Sequence, residues 1–203
     1  KVFCGCQNEF GGGANERVCP RCSGMPGTLP ILNQSVVAQA VRAGFALNCD
    51  INEYSAFDRK NYFYPDLPKA YQITQFFHPI CTNGYIALKD TKTRINRIHI
   101  EEDAGKLVHD EYEGISMADY NRCGVPLIEI VTEPDFRTIE EVQSFVSDIA
   151  LRLKYAGVCD AKLEQGSLRV DVNISLMPYG SDVFGTRAEI KNLNSIKAIG
   201  RAI

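Results

Sequence analysis

The stretch from Ser167 to Lys191 constrains the fold more than any other. Leu168, Val170, Val172, Ile174 and Leu176 alternate with Arg169, Asp171, Asn173 and Ser175. A period of two is that of a strand with one buried face. Thr186, Ala188 and Ile190 alternate in the same way with Arg187, Glu189 and Lys191. Pro178, Gly180 and Gly185 lie between the two segments, which predicts an antiparallel pair joined by a long hairpin. Its polar face would carry Arg169, Asp171, Asn173, Arg187, Glu189 and Lys191. Such a face is either an ordinary solvated surface or, because short Asp and Asn stand between arginines, a surface for metal and phosphate.

The 203 residues are enough for one sizeable core, with or without a small extra module. The net charge of -3 implies no broad basic surface for nucleic acid, although a local site for an RNA end stays open. No apolar run is long enough to span a bilayer and no signal peptide is evident, so no membrane role is expected. The sequence starts at Lys1 and stops at Ile203 inside an expected helix, as a piece of a longer protein would.

The eight cysteines fall into two groups. Cys49, Cys81, Cys123 and Cys159 are scattered singly, the pattern of buried reduced thiols in a cytoplasmic protein. Cys4 and Cys6 form C-x-C, and Cys19 and Cys22 form C-x-x-C, with Gly11, Gly12 and Gly13 between the pairs. Four thiolates in two close pairs fit a tetrahedral structural zinc, with two short disulfides as the alternative. Four cysteines leave no open position for water. The expected role is therefore to staple residues 1–30, which have no core of their own, beside a main domain over 31–203.

Along the chain, Asn33 is placed to cap a helix over 34–48, with Val37, Ala40, Val41, Gly44, Phe45 and Leu47 as its apolar stripe. The run FDRKNYFYPD reads as a strand with Asp58, Lys60, Tyr62 and Tyr64 on one face. Basic groups between aromatics can bind a nucleic-acid end; a plain edge strand with wet tyrosine hydroxyls is the alternative. YIAL and TRINRIHIEE predict a hairpin turning near Lys89–Lys92, with Ile98 and Ile100 facing one way and Arg97, His99 and Glu101 the other. Glu102 and Asp103 close that strand, as a metal or acid–base site or as a solvated turn. His99 alone reads as a structural histidine. ISMADYNR and PLIEIV read as two further strands. Glu129 inside LIEIV is costly there unless it is paired or at a site. Thr138 and Glu141 make a capping box for a helix with Val142, Phe145, Val146, Ile149 and Leu153 at core spacing, closed by Gly157. Asn194 and Ser195 start a last helix. No phosphate-cradling glycine loop is present, so a nucleotide site would be built on carboxylates and arginines of a sheet.

Five stretches taken together resemble one family: FDRKNYFYPDLPKAYQITQF, RIHIEEDAGK, DYNRCGVPLIEIVTEPD, LEQGSLRVDVNISL and GTRAEIKNLNS. They resemble the B subunit of the tRNA-dependent amidotransferases of bacteria and organelles, whose archaeal relative GatE is the family most easily confused with it. The motifs keep the family's order across residues 4–203, and the four cysteines resemble its zinc-bearing version. The resemblance implies an α+β cradle similar to glutamine synthetase and guanido kinases, an antiparallel sheet with flanking helices, and a cytoplasmic or organellar location. It implies ATP-dependent phosphorylation of the side-chain carboxylate of Glu-tRNA(Gln) or Asp-tRNA(Asn). Ammonia from a glutaminase A subunit then displaces phosphate, and a small C subunit completes and steadies the heterotrimer.

On that footing Glu102, Asp171 and Glu189 are the expected magnesium ligands, and Arg169 and Arg187 the phosphate clamps. Lys60, Lys69 and Glu102 are expected to line the ammonia path, and Tyr62 and Tyr64 to meet the RNA end. The family's first strand, resembling I-G-L-E-V-H, is absent, as are its C-terminal helical domains. The metal site is therefore expected to be incomplete and the piece inactive alone. A zinc-bearing RNA-binding or scaffold protein without chemistry is the competing reading.

Overall fold

The computed structural model describes residues 1–9, 11–89, 91–163 and 166–203. Asp90, within the expected turn, and Glu164 and Gln165, within the LEQGSL motif, lie outside these residues. The chain mixes antiparallel sheets with helices, as its alternating and 3.6-period segments predict.

Asn33 caps α1 (Gln34–Ala46) by accepting a hydrogen bond from the Ser35 amide at 3.0 Å. β1 (Asp50–Ile51), β2 (Asp58–Asn61) and β3 (Tyr71–Thr74) follow. β4 (Cys81–Ala87) and β5 (Lys92–Glu102) form the expected hairpin, with Ala87 opposite Lys92. β6 (Lys106–Asp110) pairs with β7 (Ile115–Asp119), and β8 (Pro126–Thr132) returns to pair with β5. ISMAD and PLIEIV are thus both strands, but they belong to different sheets. The main sheet has the order β1-β4-β5-β8, with every pair antiparallel.

The reciprocal capping box of Thr138 and Glu141 opens α2 (Ile139–Tyr155). Gly157 follows its end at φ +68°, a left-handed conformation that glycine adopts without a Cβ clash. β9 (Val170–Ile174) and β10 (Ala188–Leu193) pair antiparallel, with Glu189 opposite Asn173 and Ile190 opposite Val172. Ser195 caps α3 (Ile196–Ala202).

One core sits between the helices and one face of the main sheet. Ala40 and Ala43 of α1, with Leu47 at its C-cap, meet Ile86, Ile98 and Ile100 of the sheet, Phe145, Ile149 and Leu153 of α2, Val172 of β9 and Ile199 of α3. Each fully buried Ile or Leu contributes about 1.5–3 kcal/mol by leaving water. Phe45 departs from the expected stripe: it is exposed, and Val36 and Ala43 take the inner positions of α1.

A bulge in β5 orients the opposite face. The register with β8 shifts between Ile95 and Arg97. An inserted residue reverses the alternation, so Ile95 is buried with Ile98 and Ile100 while Arg97, His99 and Glu101 point away from that core. Residues 1–9 and 11–30 contain neither helix nor strand, yet Val2 is part of the core and its amide donates to the Gly124 carbonyl.

Candidate functional site

The outward face of β5 lines a cleft of about 400 Å³ with β2, β3 and β8. His99 and Glu129 are direct cross-strand partners, and Glu101 follows His99 by two residues on the same face. His99 Nε2 lies 3.1 Å from Glu101 Oε1 and 3.4 Å from Glu129 Oε2. The three ligand-bearing atoms lie within 4.8 Å of one another, the spacing of a metal-binding group. Thr74 Oγ1 donates to Glu101 Oε1 at 2.7 Å, and Gln72 Nε2 approaches Glu101 Oε2 at 3.4 Å. Those bonds fix the carboxylate before any ligand arrives.

Burial pushes the Glu101 carboxyl up, but hydrogen bonds from His99 and Thr74, with the nearby charges of His99 and Lys60, hold it below the usual range. Burial pulls His99 down, while Glu101 and Glu129 together push it above its ordinary value. His99 Nδ1 is buried without a hydrogen-bond partner. Two carboxylates around one imidazole nitrogen favour positive charge there, which a protonated His99 or a bound cation supplies.

The rest of the cleft is cationic and aromatic. Arg59, Lys60, Arg97, Phe76 and Phe77 line it. Arg59 lies over the Tyr71 ring at 4.6 Å, and Arg97 over Phe76 at 5.5 Å. Arg97 Nε is buried and has no hydrogen-bond partner. Asp58 turns its carboxylate to the amides of Phe76 and Phe77, at 2.8 and 3.1 Å, and fixes the aromatic rim.

Glu102 opens onto the other side of β5. It is 4% exposed, forms an ion pair with Lys69 and accepts the Ile73 amide at 3.2 Å. A second cleft of about 150 Å³ lies there, lined by Lys69, Tyr71, Ile73 and Glu102 from the sheet side and by Cys4, Cys22, Gly24 and Leu29 from the N-terminal segment. The four sulfurs of Cys4, Cys6, Cys19 and Cys22 lie within 4.8 Å of one another, and all four cysteines are free of disulfides. Burial raises the Cys4 thiol, and burial with neighbouring thiols pushes Cys6 up to about 12. Burial opposes ionisation of Cys19 as well, but the Cys22 and Arg21 amides and the Cys6 and Cys4 thiols bring it down to about 7. A soft tetrahedral ion such as zinc suits this all-sulfur set. The single cysteines behave as buried thiols: burial holds Cys49 at about 11 and Cys81 and Cys123 at about 12.

The family model described as the GatB/GatE catalytic domain matches residues 1–203. The chain belongs to that family. It is similar to the B subunit of the aspartyl/glutamyl-tRNA(Asn/Gln) amidotransferase of Ruminiclostridium cellulolyticum, at 60% identity over all of this chain and 43% of the relative. The subunits of the same name from Lachnoclostridium phytofermentans and Caldicellulosiruptor saccharolyticus are 57% and 58% identical with the same coverage. The chain thus spans 43% of the length of these curated relatives. Among the described residues, no helix is long and apolar enough to cross a membrane.

Within this GatB/GatE domain the expected residues divide into three places. Lys69 and Glu102 are together in the second cleft, while Lys60 is in the first. Arg169 reaches the end of β5 through Asp103, at 2.6 Å between Nη2 and Oδ2, and Arg122 Nε lies 3.5 Å from the same oxygen. Asp171 and Glu189 share the polar face of the β9–β10 pair. Asp171 Oδ1 accepts the Asn192 amide at 3.3 Å, and Glu189 pairs with Lys191 at 3.5 Å. Arg187 is exposed just before β10. Among the described residues, Glu102, Asp171 and Glu189 are not in one group of ligand atoms within 4.8 Å of one another. The buried Glu102 is already committed to Lys69, and its neighbour Glu101 occupies the metal-type cluster. Tyr62 and Tyr64 lie beyond the end of β2, partly exposed, so the strand is shorter than the expected run. Burial, followed by the charges of Asp66 and Asp103, raises the Tyr62 hydroxyl.

His99 and Glu129 were absent from the expected ligand set. A charged residue inside LIEIV was the available signal, but its partner follows from the β5–β8 register, which no local pattern reveals.

Proposed function

We propose that this domain carries the ATP-dependent amidation step of a tRNA-dependent amidotransferase, acting on the side-chain carboxylate of Glu-tRNA(Gln) or Asp-tRNA(Asn). The observation that carries the reading is the division of labour at the end of β5. Glu101 stands in a metal-type cluster with His99 and Glu129, and Glu102 pairs with Lys69 in the cleft behind. The 55–60% identity to subunits of that name supports it.

The first cleft is where ATP and the aminoacyl end meet. Glu101 and Glu129, with His99, hold magnesium, which screens the phosphates when bound. Arg97 has a partnerless Nε in the cleft and, with Arg59, steadies the charge that develops on the transferred phosphoryl group. Phe76 and Phe77 offer faces for a base. On the separate β9–β10 face, which Arg169 anchors to Asp103, Asp171 and Glu189 offer further metal ligands and Arg187 a phosphate clamp. The carboxylate oxygen of the substrate attacks the γ-phosphorus and ADP leaves. Ammonia then attacks the acyl carbon, phosphate leaves and the amide remains. Lys69 and Glu102 line the ammonia route, and Glu102 is the group able to take a proton from ammonium. Lys60 stands where that route reaches the first cleft, and Tyr62 and Tyr64 meet the RNA end. The glutaminase A subunit supplies ammonia, and a C subunit steadies the complex in the cytoplasm or an organelle. The four cysteines hold structural zinc.

A zinc-stapled RNA scaffold gives no reason for a buried Lys–Glu pair behind a metal-type cluster. The test is ATP-dependent amidation by the full-length protein with its A and C partners on both misacylated tRNAs. Glu101→Gln should abolish it and leave glutaminase activity competent. Full amidation by that variant would overturn the reading.

A further inference from the structure

The N-terminal cysteine segment closes on Lys69 at Gly24 and lines the same cleft as Glu102. Gly24 is pressed against the loop that carries Lys69. A Cβ placed on Gly24 would lie 2.8 Å from Lys69 Cγ and 3.1 Å from the Pro68 carbonyl carbon, and its φ of +66° already favours glycine. Gly124 lies between Cys22 and Glu102. A Cβ there would lie 3.6 Å from Cys22 Cβ and 3.8 Å from Glu102 Oε2. The adjoining Cys123 thiol donates to the Cys22 carbonyl at 3.2 Å. Lys1, 5% exposed, approaches Cys22 Sγ at 3.6 Å and bonds the Tyr120 carbonyl at 3.3 Å. Between these contacts lies the second cleft, walled on one side by the cysteine segment.

We propose that the cysteine segment is a wall of the Lys69–Glu102 cleft, and that metal held by its four sulfurs fixes where the Lys69 amine sits. Cys22 belongs to the four-sulfur group and lines the cleft with Glu102, with Gly124 between them, so the ligand shell and the pair are one residue apart. Among its described residues the segment has no helix or strand to hold Cys22 and Gly24 in place. A tetrahedral ion does so instead. Metal occupancy thereby governs how tightly glutamine-derived nitrogen is coupled to amidation, and not merely whether residues 1–30 are folded. This rests on the ammonia-route reading above.

The experiment uses the full-length complex with two nitrogen donors, glutamine and high external ammonium. Gly24→Ala keeps all four sulfurs and forces the Pro68–Lys69 loop to move. It should retain one zinc per chain by metal analysis and keep ammonium-driven amidation near wild type. Glutamine-driven amidation should fall by about tenfold or more, the scale seen when a group supporting a site is displaced. Glutamate released per amide formed should rise. Hydrogen exchange supplies a readout independent of turnover: the Ile73 amide, bonded to Glu102, should exchange faster in Gly24→Ala and in chelator-stripped protein. Unchanged Ile73 exchange in both, or equal loss with both donors in Gly24→Ala, overturns the proposal. Lys69→Met separates the two levels. Equal loss with both donors in that variant removes the ammonia route itself. A donor-selective Lys69→Met beside a wild-type-like Gly24→Ala removes only the wall.

Discussion

Glu101 and Glu102 are consecutive on β5 and open onto different clefts. Glu101 accepts Thr74 Oγ1 at 2.7 Å and faces His99 at 3.1 Å, whereas Glu102 takes Lys69 and the Ile73 amide on the other side of the strand. Neighbouring residues of a strand point to opposite faces, so the pair is divided by the thickness of one backbone. The two carboxylates therefore should fail differently when removed. Glu101→Gln should reduce amidation with glutamine and with ammonium alike. Glu102→Gln should reduce the glutamine-driven rate by about 10²-fold, in the range of a lost proton acceptor, and spare more of the ammonium-driven rate. Identical donor profiles for the two variants would remove the division of roles.

Lys60 offers a test of where the route ends. It lines the Glu101 cleft, away from the Lys69–Glu102 ion pair. Lys60→Met should damage glutamine-dependent amidation more than ammonium-dependent amidation in the full complex. Equal loss with both would assign Lys60 to the chemistry of the first cleft.

The cysteine segment should bind one zinc per chain, with Zn–S distances near ~2.3 Å by X-ray absorption. Cys19→Ser should speed hydrogen exchange across residues 1–30 while the β4–β5–β8 sheet keeps its protection. Protein purified without chelator that carries no zinc, or that shows disulfides within the pairs, would defeat the assignment.

Thr138→Ala removes the side chain that accepts the Glu141 amide at 3.2 Å. Loss of such a cap costs about 1 kcal/mol, which lowers the melting midpoint of a chain this size by about 2–4 °C. A calorimetric midpoint equal to wild type would show that α2 is held by packing alone.

The Asp135 carboxylate has a pH signature. Hydrogen bonds from Arg94, 2.6 Å at Nη2 and 3.0 Å at Nε, hold it below the usual range against partial burial. A depressed carboxyl contributes stability that is whole above its unfolded value of about 4 and is lost as pH falls through the lower folded value. Asp135→Ala should therefore melt below wild type at neutral pH, and the gap should close under acid conditions. A gap independent of pH down to the acid limit would assign the effect to packing.

Local chemistry alone determined a good part of this protein. Period-two alternation predicted the β4–β5 and β9–β10 hairpins and put Ile98 and Ile100 on the face opposite Arg97, His99 and Glu101. Asn33 and the Thr138–Glu141 pair marked two helix starts, because capping is written within four residues of chain. Each of the two close cysteine pairs is local in the same way, although the pairs meet only through the turn-rich stretch between them. Tertiary structure decided what depended on residues far apart. The β5–β8 register set His99 against Glu129, 30 positions away, and made a metal-type cluster where the sequence had suggested Glu102. The bulge between Ile95 and Arg97 reversed which face each half of β5 presents, and its only trace in side-chain spacing is the three-residue step from Ile95 to Ile98, which does not by itself distinguish a bulge from the end of a strand. Chain folding also carried the cysteine segment back against Lys69 and Glu102. Two cysteine pairs can announce a candidate metal site, but not which wall the segment builds, because that wall exists only once Gly24 lets the backbone close on the Pro68–Lys69 loop.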